Sequence, residues 1–338
     1  MVGRDSVEPH RCARHGEPLA ACDFAAPRLD RVSPYLLPRL CLTLMCRAMR
    51  SESSVFTLGH SPDPDDAFMF YAMAENKIDL RGYRFEHRLE DIQTLNERAL
   101  RGELHISAIS IHAFAFVSDW YALLPCGASM GDGYGPMVVT ASREGLGADA
   151  SDEEIRAWLR NRTIAIPGRM TSAYLALQLY LGGFDHIVVP FDQVFETVKS
   201  GRAAAGLIIH EGQLTYRRSG FTKVLDLGEW WKRETVLPLP LGGNVLRKDI
   251  APAVQRDLLE IMRESIDFGL AHRDEAVQHS MPYARDMDAN LAGKFIGMYV
   301  NDYTRDYGDI GRRAVREFLQ TAHRRGYLER APAVEFVE

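Results

Sequence analysis

Residues 55–70 read VFTLGHSPDPDDAFMF, and residues 163–181 read TIAIPGRMTSAYLALQLYL. Each stretch starts with a short apolar run typical of a β-strand, passes through a turn that contains proline, and ends in a helical pattern. A strand that leads through a turn into a helix is the repeating unit of α/β proteins. Two such stretches, far apart in the chain, predict an α/β fold with two separate units.

The sequence around the two stretches continues this alternation. Further β-type runs fall at 83–89, 104–110, 120–125, 135–142, 186–191 and 204–210, and residues 250–327 are almost entirely helical in pattern. The glycine-rich ASMGDGYG (128–135) is predicted to be a loop.

The order of the runs predicts a bilobal architecture. Because the terminal helices cannot bury their apolar faces alone, we expect them to pack on the first β-α unit. The prediction is a discontinuous lobe 1 (51–142 plus 243–338), a contiguous lobe 2 (143–242) and an interlobe cleft. Pro238, Pro240, Gly242 and Gly243 are predicted to form the crossing or hinge between the lobes.

The composition of the chain indicates its class and disfavours two kinds of binding partner. The chain has 338 residues, of which 46% are hydrophobic and 25% charged, as in globular proteins, and this length suits two domains. With 40 Lys+Arg against 46 Asp+Glu, the formal charge is −6. We therefore expect no nucleic-acid and no membrane partner, because both surfaces attract basic proteins.

The first fifty residues differ from the rest. They contain eight Arg, no Lys and four of the five cysteines, so only Cys126 lies beyond them. Cys12, His15 and Cys22 match no standard zinc spacing. We predict a poorly ordered N-terminal extension, or sequence upstream of a start at Met45 or Met49; a processed targeting segment is the alternative. Because Cys126 is the one cysteine in residues 51–338, this part of the chain cannot form an internal disulfide, and nothing in it requires an oxidising compartment.

Two turns are candidate ligand sites, because open α/β sheets hold ligands where strands end. In the second turn, Thr171 and Ser172 stand at a helix N-terminus, where hydroxyls and free N–H groups can cradle a carboxylate or phosphate. The alternative is that they only cap the helix. The three acids of the first turn, within 63–66, could suggest a divalent metal site, but they equally suit the N-terminus of a helix. We predict no metal site there.

His210 is the candidate catalytic residue. It ends the apolar run AAGLIIH and precedes Glu211, so a group that exchanges protons near neutral pH would lie beside a carboxylate at the mouth of the cleft. The alternative is a structural histidine. No Walker sequence, Gly-x-Gly-x-x-Gly or Gly-x-Ser-x-Gly follows a predicted strand, which disfavours nucleotide cofactors and a serine nucleophile.

Several stretches together resemble one family, the 1,4-dihydroxy-6-naphthoate synthases of the futalosine route to menaquinone. They cover almost all of the chain after position 50: HSPDPDDAFMFYA (60–72), LEDIQTLNERAL (89–100), YGPMVV (134–139), IAIPGRMTSAYLAL (164–177), AGLIIHEGQLTY (205–216), DLGEWWKRETVLPLPLGG (226–243) and YVNDYTRDYG (299–308). IIHEG followed by EWW and LPLPLG is the most specific combination.

The resemblance implies a periplasmic-binding-protein-like fold used as a cytoplasmic carbon–carbon lyase. Its substrate would be a small-molecule carboxylate, cyclic dehypoxanthinylfutalosine, and its products 1,4-dihydroxy-6-naphthoate and dihydroxyacetone. By the resemblance, His210 is the proton acceptor and the substrate-binding residues are Ala108, Ile109, Ser110, Thr171 and Ser172. Such a reaction needs a base and a polarised oxygen, so no cofactor and no metal are expected.

The sequence departs from the family at two places. The family can have lysine where this chain has Ala108, and its opening motif often reads Ser-Pro-Cys-Pro-Asn-Asp where this chain has Asp63 and Asp65. A paralogous enzyme with another substrate, such as chorismate dehydratase, and a non-catalytic solute-binding protein therefore remain alternatives.

Overall fold

The structure, a computed structural model, describes residues 54–285 and 287–338, and the predictions for residues 1–50 lie outside them. Two β-sheets with helices packed against them make up this part of the chain. The α/β fold predicted from the strand-turn-helix stretches is confirmed. None of the helices in these ranges is both long and apolar enough to cross a membrane.

The first sheet has the order β2-β1-β3-β11-β4, with β5 paired to β11. Strands β1, β2 and β3 are parallel to one another, and β11 runs antiparallel to its three partners. The strands are β1 (Val55–His60), β2 (Arg84–Leu89), β3 (Ile106–Ser110), β4 (Tyr121–Leu123), β5 (Ser129–Gly131) and β11 (Leu239–Arg247).

The second sheet has the order β10-β6-β9-β7-β8. Its strands are β6 (Met137–Thr140), β7 (Ile164–Ile166), β8 (His186–Val188), β9 (Ala205–Ile208) and β10 (Thr222–Asp226). Strands β7, β8 and β9 are parallel, whereas β6 is antiparallel to both of its neighbours. The division of the chain between lobes at 142/143 and 242/243 stays a prediction; β6, just before the first boundary, pairs within this second sheet.

The helices of the described ranges cover both sheets. In chain order they are α1 (Pro64–Ala74), α2 (Ile92–Leu100), α3 (Ile111–Val117), α4 (Asp152–Arg160), α5 (Ser172–Leu181), α6 (Val194–Lys199), α7 (Gly212–Thr215), α8 (Leu227–Thr235), α9 (Pro252–Ala271), α10 (Arg273–Ser280), α11 (Ala289–Tyr299), α12 (Asp302–Arg305) and α13 (Gly308–Arg324). Two short 3₁₀ turns, Phe191–Gln193 and Met281–Tyr283, complete the set.

Local sequence explains where several helices begin. Ser151 and Glu154 form a capping box at the start of α4, in which each side chain bonds the backbone N–H of the other residue. Asp91 and Asp226 accept hydrogen bonds from the first-turn N–H groups of α2 and α8. Such caps satisfy donors that have no acceptor within the helix.

The segment from Pro238 to Gly243, predicted as the crossing or hinge between the lobes, is largely a strand. The segment does carry the chain from the second sheet to the first, but most of it belongs to β11, which lies between β3 and β4. The strand tolerates Pro240 because its register with β5 shifts there, where one ladder hydrogen bond is already missing.

The prediction of a loop at 128–135 was wrong for three of its residues. Residues Ser129 to Gly131 form β5, which pairs with the segment from Leu239 to Gly242. Local composition signals a turn, but the partner strand is more than 100 positions away and supplies the pairing.

Candidate functional site

A cleft with a cavity volume of about 120 Å³, partly open to solvent, lies where strand ends of both sheets meet. All five predicted substrate-binding residues line it: Ala108, Ile109, Ser110, Thr171 and Ser172. His210 does not line it, although its neighbour Ile209 does. Strand β9 ends at Ile208, so His210 lies in the turn after the strand rather than within it.

The carboxyl end of β3 forms one wall. Ser110 is held from both sides by Asn96 of α2, whose amide nitrogen donates to Ser110 Oγ at 2.9 Å and whose Oδ1 accepts from the Ser110 N–H at 2.8 Å. Ala108 pairs with Asn244 of β11, which also lines the cleft. The Oδ1 atom of Asn244 is buried without a hydrogen-bond partner. It is therefore an acceptor available to a ligand hydroxyl.

The two hydroxyls at the start of α5 already have protein partners. Thr171 Oγ1 accepts from the Tyr174 N–H at 3.2 Å and donates to the Gly168 carbonyl at 2.9 Å, which makes it a helix cap. Ser172 Oγ donates to the Leu241 carbonyl of β11 and accepts from the His112 N–H at 3.1 Å. Ser172 therefore connects α5 to elements of the first sheet.

The turn after β1 brings three carboxyl groups to the cleft. Asp66 accepts a hydrogen bond from the Ser61 N–H at 2.7 Å. Burial raises the pKa of Asp63 to about 6, with the nearby Glu211 carboxylate acting in the same direction. Burial, together with the adjacent Asp66 and Asp63, also raises the pKa of Asp65 well above its usual range. At least one group here can keep a proton close to neutral pH.

His210 lies in an aromatic enclosure with one free nitrogen. Its ring is 5.5 Å from the Phe191 ring and 6.0 Å from the Phe195 ring, both edge-on. Nδ1 accepts from the Gly212 N–H at 3.0 Å and lies 3.6 Å from Glu211 Oε2. Nε2 is buried and has no hydrogen-bond partner. An unpartnered imidazole nitrogen beside the cleft is available to exchange a proton with a ligand.

Glu211 lies beside this ring and is 5% exposed. Burial opposes its ionisation, but the neighbouring His210 ring and the charge of Arg285 leave the pKa of Glu211 below the usual value. Arg285 Nη1 is 3.4 Å from Glu211 Oε1 and 3.3 Å from Asp63 Oδ1. One guanidinium therefore joins the turn after β1 to the turn after β9.

Several site residues have no signal in the sequence. Tyr299 and Phe295 of α11 line the cleft, and the Tyr299 hydroxyl donates to Gln213 Oε1 at 2.6 Å. Gln93 Oε1 accepts from the Met170 N–H at 3.2 Å. These contacts join residues that are more than 70 positions apart. A sequence signal for these contacts would be covariation of the paired positions among related sequences.

The described ranges, 54–285 and 287–338, hold no group of three or more His, Cys, Asp or Glu side chains arranged for a metal ion. The available chemistry is a free imidazole nitrogen, carboxyl groups with raised pKa, and N–H groups at the first turn of α5. Such a set can bind an anionic molecule and transfer protons to and from it.

Similarity to solved structures defines the class of fold. An alkanesulfonate-binding protein from Xanthomonas axonopodis, bound to MOPS, matches with a TM-score of 0.62 at 9% identity, covering 84% of this chain and 97% of its own. A Candida albicans protein described as having the generic periplasmic binding protein fold matches with a TM-score of 0.60 at 12% identity, over 83% and 97% of the two chains. The chain therefore has a periplasmic-binding-protein-like fold, as predicted.

Sequence comparisons then define the family. Residues 56–324 match the family described as menaquinone biosynthesis, and the chain belongs to that family. Curated 1,4-dihydroxy-6-naphthoate synthases from Thermus thermophilus and Streptomyces coelicolor are 38% and 37% identical, covering 83% and 82% of this chain and 98% and 96% of their own lengths. A solved protein from Archaeoglobus fulgidus is 42% identical, with a TM-score of 0.76 over 82% of this chain and 99% of its own. The family resemblance read from the motifs is confirmed.

Proposed function

We propose that the protein is a 1,4-dihydroxy-6-naphthoate synthase, a lyase of menaquinone biosynthesis acting on cyclic dehypoxanthinylfutalosine. The identity to two curated synthases over nearly their whole lengths supports the activity. The observation in the site that carries the proposal is the buried, unpartnered Nε2 of His210, next to a residue that lines the cleft. Biosynthesis of this kind also favours a cytoplasmic location.

The reaction requires proton transfer but no added oxidant, because all the atoms of the substrate appear in its two products. His210 Nε2 takes a proton from the substrate, and the bond to the three-carbon fragment breaks as the ring becomes aromatic. The electron pair left on that fragment takes up a proton, which releases dihydroxyacetone. The imidazolium formed at His210 is stabilised by the adjacent Glu211 carboxylate.

Substrate binding is assigned to the walls of the cleft. Ala108, Ile109 and Ser110 present the end of β3, and Thr171 and Ser172 present the first turn of α5. The free N–H groups of that turn and the positive end of the helix dipole suit the substrate carboxylate. The family can have lysine at position 108, and in this proposal the first turn of α5 takes the role of binding the carboxylate.

The test is to incubate the full chain with cyclic dehypoxanthinylfutalosine and to detect both products by mass spectrometry. His210→Asn should lose about 100-fold to 10,000-fold in kcat, the usual contribution of a general base, and should still bind substrate. His272→Asn is the matched control, because that histidine is exposed at the end of α9. Tight binding without product would instead indicate a solute-binding protein.

A further inference from the structure

The tautomer of His210 decides whether it can act as a base at Nε2. A neutral imidazole has one N–H and one lone pair. In this structure Nδ1 accepts from the Gly212 N–H at 3.0 Å, which leaves the ring proton on Nε2. In that state the free nitrogen is a donor. It becomes an acceptor only when the ring proton moves to Nδ1 and finds an acceptor there.

Glu211 is the group placed to accept that proton. Its Oε2 lies 3.6 Å from Nδ1, slightly beyond hydrogen-bond length, and is buried without a hydrogen-bond partner. A buried carboxylate oxygen without a donor is costly, so a donor that comes within reach is favoured. When Nδ1 is protonated it can no longer accept from the Gly212 N–H, and a shift of less than 1 Å would then bring the Nδ1–H group within hydrogen-bond length of Oε2 and leave Nε2 free to accept a proton.

Arg285 fixes the other oxygen of the same carboxylate. Its Nη1 lies 3.4 Å from Glu211 Oε1, and its guanidinium lies over the Phe191 ring, 4.8 Å from the ring centre. Phe191 in turn packs edge-on against His210. Arg285 therefore contacts both the carboxylate and an aromatic wall of the histidine. The same Nη1 is 3.3 Å from Asp63 Oδ1 in the turn after β1.

We propose that Glu211 and Arg285 are positioning residues for the proposed reaction. In the reacting state, in which Nδ1 has given up its bond from the Gly212 N–H, they hold the ring proton of His210 on Nδ1, so that Nε2 accepts the proton of the substrate. Because the guanidinium also contacts Asp63 on the opposite side of the cleft, the basic state of His210 depends on the two sides being together. This inference rests on the proposed function, in which His210 is the base.

The test measures kcat, KM and the pH profile of kcat/KM for Glu211→Gln, Arg285→Gln and Arg285→Lys. We expect Glu211→Gln to lose about tenfold or more in kcat, with KM changed less than about threefold. Arg285→Gln should lose about fivefold or more, and Arg285→Lys should recover most of the loss because a single cationic nitrogen suffices. Arg263→Ala is the matched control, since Arg263 makes a similar exposed ion pair of 3.5 Å with Asp306.

The pH profile separates positioning from a purely structural role. The charged groups facing the His210 ring are Glu211 and, behind it, Arg285 with Asp63; the ring's other neighbours are Phe191, Phe195 and Gly212. Loss of the Glu211 charge should move the acid limb of kcat/KM to lower pH, because a nearby anion favours the protonated imidazole. In the double variant Glu211→Gln/Arg285→Gln, the fold-loss in kcat should be smaller than the product of the fold-losses of the two single variants.

Each result points to one hypothesis. Glu211→Gln and Arg285→Gln with kcat within about twofold of Arg263→Ala, while His210→Asn is inactive, would overturn the positioning role alone. A wild-type chain that forms no product, or a fully active His210→Asn, would overturn the proposed function instead. If one Gln variant unfolds, shown by circular dichroism, the other decides: a kcat loss of about fivefold or more supports the positioning role, and a kcat within about twofold of Arg263→Ala contradicts it.

Discussion

The hydroxyl of Tyr299 donates a hydrogen bond of 2.6 Å to Oε1 of Gln213. Tyr299 ends α11, which packs on α1 beside the first sheet, and Gln213 lies on α7, which follows β9 of the second sheet. Both residues are buried, and the Nε2 atom of Gln213 has no partner. This bond is a buried polar connection between the two sides of the cleft.

Tyr299→Phe should therefore destabilise the protein by about 1 to 3 kcal/mol, because the Gln213 amide is left buried with both ends unpaired. Urea unfolding measures the change. In the double variant Tyr299→Phe/Gln213→Met no polar group is stranded, so part of the loss should be recovered. A double variant as unstable as the sum of the single changes would contradict the coupling.

Thr171→Val tests the two roles of the hydroxyl at the start of α5. Loss of the cap on the Tyr174 N–H should cost about 1 kcal/mol of stability, seen in urea unfolding. If the hydroxyl also contacts the substrate, binding should weaken by about 1 to 3 kcal/mol, seen as a higher KM. Thr171→Ser keeps the hydroxyl and should restore both. An unchanged KM in a folded Thr171→Val protein would reduce Thr171 to a helix cap.

Replacing Gly243 and Gly293 by alanine should change the stability of the protein in opposite directions. A Cβ on Gly243 of β11 would overlap the hydroxyl of the fully buried Tyr307, so Gly243→Ala should destabilise by about 1 to 3 kcal/mol. A Cβ on Gly293 of α11 meets no atom within 4 Å, so Gly293→Ala should stabilise by about 0.5 to 1 kcal/mol. Thermal unfolding ranks the three proteins, and a stable Gly243→Ala would show that Tyr307 moves freely.

Buried histidines should make stability depend on acid pH. Burial lowers the pKa values of His60, His87 and His112 to about 4. Between pH 6.5 and 4 the unfolded chain binds protons that the folded chain does not, so the free energy of unfolding falls as pH falls through this window. Each histidine contributes up to about 1.4 kcal/mol per pH unit.

The check is urea unfolding of the wild type, His112→Gln and His272→Gln at several pH values from 7 to 4. His112→Gln should show a shallower slope, because one proton fewer is taken up on unfolding. His272 is exposed, and its variant should follow the wild type. Equal slopes for all three proteins would mean that His112 is protonated as readily in the folded state as in the unfolded one.

The sequence alone determined the elements whose signals are local. The runs that begin at Val55 and Thr163 fold as strand, turn and helix because apolar periodicity and capping residues act within a few positions. The motifs around His210 also indicated the family, which the comparisons confirmed.

Only the tertiary structure decided what depends on distant partners. Strand β11 forms through Pro240 and Gly242 because β3, β4 and β5 supply its hydrogen bonds, and no local propensity encodes those partners. The contacts of Arg285 with Glu211 and Asp63 likewise join three separate segments. Side-chain charge is legible in a sequence, but the burial and distances that set hydrogen-bond and proton chemistry arise only when the chain is packed.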